Sequence, residues 1–189
     1  RPRCDKAVLE QHHSGLIALS ACLQGEVPRA LREQGLDHAV EVADWYRQLF
    51  KDRFYLEIQR NGLEEQEQVN AGILQVAKKL ALPVVATNDC HYLNADHARS
   101  HELLLCIQTG KTIKDDNRFK FNTDQIYFRT KQEMADVFAD MPETLTRTLE
   151  VAERCDFKMT FGELIYPRYE APVGQDLAEH FEDLSKRGL

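Results

Sequence analysis

The sequence predicts an α/β fold in which parallel strands are joined by amphipathic crossover helices. Three observations carry this reading. Short, almost wholly apolar β-type runs recur at Leu16–Ala21, Phe54–Ile58 and Pro83–Thr87. Between them lie long segments with apolar residues at helical spacing. The resulting order, β-α-β-α-β, is the signature of a parallel sheet, because parallel neighbours need long crossovers and both sheet faces are then covered.

Each element has its own local justification. Leu16–Ala21 lies between Gly15 and the turn-forming Gly25-Glu26-Val27-Pro28, and reads as a buried strand. A helix comes next over His38–Phe50, with Asp37 as its expected N-cap and Val42, Trp45, Tyr46 and Leu49 on one face. Phe54–Ile58 is the second strand, stopped by the turn dipeptide Asn61-Gly62. Glu64–Ala81 is the second helix, with Val69, Ile73, Val76, Ala77 and Leu80 inward. Pro83–Thr87 runs directly into Asn88-Asp89-Cys90-His91.

The second half reads as more helical. Asn94 is placed to cap a helix to Thr109, with Leu103, Leu104 and Ile107 inward and Gly110 as terminator. Ile126–Phe128 is a short strand candidate. Thr130 and Glu133 have capping-box spacing, and Pro142 suits the first turn of a helix running to Arg154. Pro167, Pro172 and Gly174 break the pattern into a linker before a helix from Asp176, which places a domain boundary near residue 165.

Composition excludes several classes. With 43% hydrophobic residues and nine Phe, the 189-residue chain has material for a real core rather than disorder. No stretch reaches the roughly 18 apolar residues of a membrane span, and no secretory signal opens the chain. Five widely spaced cysteines without a C-x-x-C pair fit a reduced, cytoplasmic protein better than a disulfide scaffold. The net charge of −7 argues against a surface that grips DNA over most of its area. Motifs of P-loop, dinucleotide-fold, serine-hydrolase and H-E-x-x-H type are absent. The chain starts Arg1-Pro2-Arg3 and not with Met, and it is shorter than the about 250 residues of a complete eight-fold barrel. It therefore reads as processed or as cut from a longer reading frame, and any barrel reading of it is a partial one.

Chemistry is expected at the carboxyl edge of a parallel sheet, where strands end and loops begin. That edge would gather Cys22, Glu57 and the Asp89/His91 pair. A carboxylate and an imidazole two residues apart can face one side and suit zinc, manganese or iron; Asn88 and Asp89 would equally serve as caps of the next helix. Cys22 after its strand is either a thiolate ligand or a small buried hydrophobe. Glu57 is a candidate supporting group behind such ligands, or an ordinary salt-bridged carboxylate. His12-His13 and the His97/His101 pair have ligand-like spacing but lack a third partner in sequence. Residues 111–131 carry Lys111, Lys114, Arg118, Lys120, Arg129 and Lys131 against Asp115, Asp116 and Asp124, interleaved with Phe119, Phe121, Tyr127 and Phe128. Such a mixture fits either a nucleic-acid contact, through Lys111, Lys114, Arg118 and Lys120, or a surface loop whose aromatic residues anchor it to the core.

The stretches GLIALSACLQGEVPRAL, DRFYLEIQRNG, LALPVVATNDCHYLNADHARSHELLLCIQTGK and DMPETLTRTLEVAERC together resemble the bacterial DNA polymerase III alpha-subunit family, in the later part of its PHP (polymerase and histidinol phosphatase) domain. The resemblance implies a partial, distorted (β/α)7 barrel of parallel strands whose N-terminal strands are missing. It implies PHP sequence over residues 1–165, with residues 166–189 leading into the polymerase core. It implies that Cys22, Asp89 and His91 are metal ligands, for zinc or manganese, with further ligands upstream. The whole protein would be a DNA-directed DNA polymerase that uses magnesium, acts on DNA and works with other holoenzyme subunits, a proofreading exonuclease among them. In some relatives the PHP site is a 3′–5′ exonuclease, and in others a scaffold. A free-standing phosphoesterase is the third alternative. The polymerase aspartates are not in this chain.

Overall fold

The structure, a computed structural model, describes residues 4–167 and 169–189; Arg1–Arg3 and Arg168 lie outside the described residues. It divides into two units, Arg1–Cys155 and Asp156–Leu189.

The first unit is built on a parallel sheet of order β1-β2-β3: β1 Ala18–Leu19, β2 Phe54–Gln59 and β3 Val84–Thr87. Ala18 stands opposite Phe54, and Leu56 to Gln59 stand opposite Val84 to Thr87. Helix α1 Lys6–His12 precedes β1, α2 Glu26–Glu33 and α3 Leu36–Phe50 form the β1–β2 connection, and α4 Glu64–Leu80 crosses from β2 to β3. The parallel strands with helical crossovers are those the apolar periodicity demands.

As the central strand, β2 is buried on both faces, with Tyr55, Leu56 and Ile58 fully enclosed. Ala39, Ala43 and Phe50 from α3, Ile73 and Val76 from α4, and Val27 and Ala30 from α2 complete the core. Each large side chain buried here stabilises the fold by about 1.5–3 kcal/mol. Gly72 lets α4 approach α2, since a Cβ there would sit 2.9 Å from a Leu31 methyl.

The remainder of the unit comprises α5 Ala98–Thr109, α6 Lys131–Val137 and α7 Pro142–Glu153. Helix α6 carries the Thr130/Glu133 capping box, and Pro142 occupies the first turn of α7. Helix α7 packs on β3, and its Arg147 donates to the Val84 carbonyl (2.5 Å), partnering one polar group of that strand. In the second unit, α8 Leu177–Gly188 starts from a capping box of Asp176 and Glu179. Tyr169 stacks on His180 there, with its hydroxyl 2.9 Å from Nε2.

Four sequence expectations need correction. Leu16–Ala21 is a two-residue strand at the described edge of the sheet, not a buried one: Leu16 is 49% and Leu19 37% exposed, because β1 pairs on one side only. Helix α2 occupies a segment read as a turn; its Pro28 lies in the first turn, where no amide partner is lost. Helix α3 begins at Leu36 after Gly35, whose φ of 90° is the chain reversal, so Asp37 lies in the first turn rather than at the N-cap. On α5, Leu103, Leu104 and Ile107 are 45%, 62% and 76% exposed, whereas Cys106 is buried. A short 3-10 turn over Ala95–His97 precedes this helix, and its inward face is the one carrying Cys106.

Candidate metal-binding edge of the sheet

At the end of β1 the chain turns through Ala21, which has a left-handed φ of 63°. The turn closes with the Gly25 amide donating to the Cys22 carbonyl (2.8 Å). Only glycine fits at position 25, since a Cβ would lie 2.1 Å from the Ser20 carbonyl oxygen. Ser20 ties this turn to β2: its amide donates to the Tyr55 carbonyl, and its hydroxyl accepts from the Glu57 amide (2.8 Å).

Glu57 links all three strand ends. Its carboxylate accepts from the Ala21 amide on the β1 side and from the Thr87 hydroxyl (2.9 Å) on β3. Gln59 adds a second contact by donating to Thr87 Oγ1 (3.2 Å). Among the described residues Glu57 forms no ion pair, and its carboxyl oxygens are engaged by these hydrogen bonds.

Beyond β3, the segment Asn88–Tyr92 is fixed by a second stretch of chain. The His91 amide donates to the Ile126 carbonyl (2.7 Å), the Phe128 amide donates to the Tyr92 carbonyl (2.9 Å), and Tyr92 and Tyr127 form a parallel bridge. The strand candidate at Ile126–Phe128 is this single bridge. The Asn88 side chain donates to the Tyr127 carbonyl and accepts from Asn61 Nδ2, both at 2.6 Å. On this platform Asp89 Oδ1 and His91 Nε2 lie 3.4 Å apart, both partly open to solvent.

The predicted site residues therefore fall into two groups. Asp89 meets His91, whereas Cys22 lines a very small cavity with Glu57, Gln59 and Asn70. Among the described residues no three His, Cys, Asp or Glu side chains gather into a group able to hold an ion. The donor types suit zinc or manganese, but the described residues supply a pair of donors and a separate thiol, not a closed coordination shell.

Of the other candidate histidines, His12 is exposed at the end of α1, and the remaining three have near neighbours. His13 Nδ1 lies 2.9 Å from the Glu10 carbonyl oxygen, and its ring packs edge-on against Phe50. His97 lies 3.9 Å from Asp96, while the His101 ring is 5.5 Å from that of His91. Burial and the neighbouring His91 lower the pKa of His101.

The basic loop is divided in the same way. Arg118 pairs with Glu102 at 2.5 Å, and Arg129 is buried, donating to the Arg60 carbonyl (2.7 Å). Both serve as internal tethers. Lys111, Lys114 and Lys120 are exposed and form no ion pair among the described residues. The loop's main anchor is Ile126, since Phe119 and Phe128 are exposed.

Sequence reasoning passed over a set of buried amides. Asn61, with no solvent exposure, exchanges hydrogen bonds with the Gln66 side chain and donates to the Gln125 carbonyl (2.9 Å). Asn70 serves both backbone groups of Gln59. These α4 amides satisfy the end of β2 where ladder partners run out. The available signal was polar Gln66 and Asn70 amid the inward positions of an amphipathic helix.

Comparison with known proteins agrees with this architecture. Residues 1–61 match the PHP domain. The chain is 39% identical over its whole length to DNA polymerase III subunit alpha of Borreliella burgdorferi and 38% identical over its whole length to that of Thermus aquaticus. The chain matches a segment of DNA polymerase III subunit alpha. A third such relative, from Deinococcus radiodurans, is 38% identical over 95% of the chain. The chain spans only 17%, 16% and 14% of the length of those three relatives. No described helix is long and apolar enough to cross a membrane.

Proposed function

We propose that the chain is the PHP-derived portion of a replicative DNA polymerase alpha subunit, covering residues 1–165, with residues 166–189 leading into the polymerase core. The whole protein would carry out template-directed DNA synthesis in the cytoplasm with magnesium. It would work with other holoenzyme subunits. In this reading Asp89, His91 and Cys22 contribute to a zinc or manganese site completed by groups from elsewhere in the protein, and Glu57 orders the strand ends behind them.

The observation that carries the reading is the Asp89–His91 pair at the carboxyl end of β3, held by backbone bonds to residues 126–128. A bound divalent ion would supply Lewis acidity for phosphodiester chemistry, as in a 3′–5′ exonuclease. The chain's own residues would orient the imidazole and carboxylate and keep the Cys22 turn in register with β3. Zinc and manganese titration of the full alpha subunit, followed by calorimetry, tests this. Asp89→Asn is expected to weaken binding by about 10-fold or more; unchanged affinity would overturn the assignment.

A second reading, a catalytically silent scaffold that docks a proofreading subunit, is favoured by one observation. Leu104 and Ile107 leave an apolar stripe exposed on α5. A full alpha subunit without metal affinity, but with retained exonuclease-subunit binding, would decide for the scaffold.

A further inference from the structure

The face beside Asp89 and His91 holds a group of rings that the metal reading does not use. The Phe121 ring lies 4.7 Å from His91 and 5.7 Å from His101, and Tyr92 lies 5.3 Å from His101. Phe119 meets Phe121 edge-on at 5.3 Å, yet is itself 55% exposed. Of these rings Tyr92, His101 and Phe121 line a cavity of about 260 Å³ between α5 and residues 121–126, together with Arg99, Glu102 and Ile126.

We propose that this cleft receives the terminal base of a single-stranded DNA end. The inference rests on the metal reading only for its purpose, which is to bring the adjoining phosphate to Asp89 and His91. Four features select a base. The cavity is smaller than the about 300–1,000 Å³ of pockets for drug-sized ligands, so it takes one planar ring system rather than a dinucleotide. Tilted and edge-on aromatic walls present ring surface suited to the π-face of any base. The Tyr92 hydroxyl beside the cleft is buried and has no hydrogen-bond partner among the described residues, which leaves a polar group for a base edge. Lys111, Lys114 and Lys120, on the loop that carries Phe119 and Phe121, are exposed cations suited to phosphates. Arg118 is already committed to Glu102 and would not add to them.

His91 joins the two functions, since its ring is part of the aromatic group while its Nε2 faces Asp89. A base stacked beside Phe121 lies next to the metal-binding pair.

The test uses the full alpha subunit in EDTA, with fluorescence anisotropy of a 5′-fluorescein oligodeoxythymidylate of about 12 nucleotides, within the range bound by single-strand proteins. An otherwise identical strand with an abasic 3′-terminal nucleotide is the comparison. The intact end is expected to bind about fivefold or more tightly, the discrimination that one base–aromatic stack supplies. Phe119→Ala, on an exposed ring, and Phe121→Leu should each reduce that preference while circular dichroism stays unchanged. Equal affinity for intact and abasic ends overturns the proposal, as does a preference that survives both substitutions. Metal affinity is measured separately, so base discrimination without metal binding supports the cleft and removes the metal reading. Metal binding without discrimination does the reverse.

Discussion

The Glu57 carboxylate accepts the Thr87 hydroxyl at 2.9 Å while also accepting the Ala21 amide, so one side chain joins the ends of three parallel strands. Glu57→Ala would leave the part-buried Thr87 hydroxyl and the exposed Ala21 amide without their acceptor. The stranded part-buried hydroxyl costs about 1–3 kcal/mol, whereas the exposed amide can turn to water. Urea unfolding should show a loss in that range, and amide exchange at Ala21 should be faster in the variant.

Asn61 makes a sharper case because it is fully enclosed. Asn61→Leu fills similar space but strands Gln66, Asn88 and the Gln125 carbonyl, which now bond to its side chain. A destabilisation of about 2–4 kcal/mol is expected from the several unsatisfied groups, and denaturant titration against wild type measures it.

The two glycines at close approaches should respond differently to alanine. At Gly25 the new Cβ meets backbone, 2.1 Å from the Ser20 carbonyl oxygen, and the turn carrying Cys22 must shift. At Gly72 it meets the end of a flexible Leu31 side chain. Gly25→Ala is therefore expected to cost about 3 kcal/mol or more, and Gly72→Ala less than about 1.5 kcal/mol. Thermal melts of the two variants side by side provide the comparison.

Helix α6 should loosen in acid. The Tyr127 hydroxyl, the Thr130 amide and the Thr130 hydroxyl hold the Glu133 carboxyl down to about 2 from its ordinary 4.5. A carboxyl whose folded pKa is depressed contributes stability above its unfolded value, and that contribution fades as pH falls from about 4.5 toward 2. Because Glu133 is at the surface, solvent screening keeps the effect small and local. Amide exchange at Lys131–Val137 should accelerate over that interval in wild type, and Glu133→Gln should already exchange faster at pH 7 with little further change.

The elements with strong local signals were legible in the sequence. Helix α4 has five apolar residues at helical spacing, β2 is apolar between turn signals, and Thr130/Glu133 announce the start of α6. Asp89 and His91 were legible as a pair because two positions along an extended segment bring side chains to one side. The exposed face of α5 was not, since Leu103, Leu104, Cys106 and Ile107 are all apolar and periodicity alone cannot say which neighbour is present.

By itself the sequence determined the parallel strand–helix alternation and the edge on which polar chemistry collects, because periodicity and turn chemistry are local properties of the chain. Tertiary structure alone decided that Glu57 binds Ala21 and Thr87. It also decided that Arg118 is committed to Glu102, and that Phe121 stands between His91 and His101. Such contacts join residues up to tens of positions apart. They depend on how the crossovers bring strand ends and loops together in space, which no local pattern records.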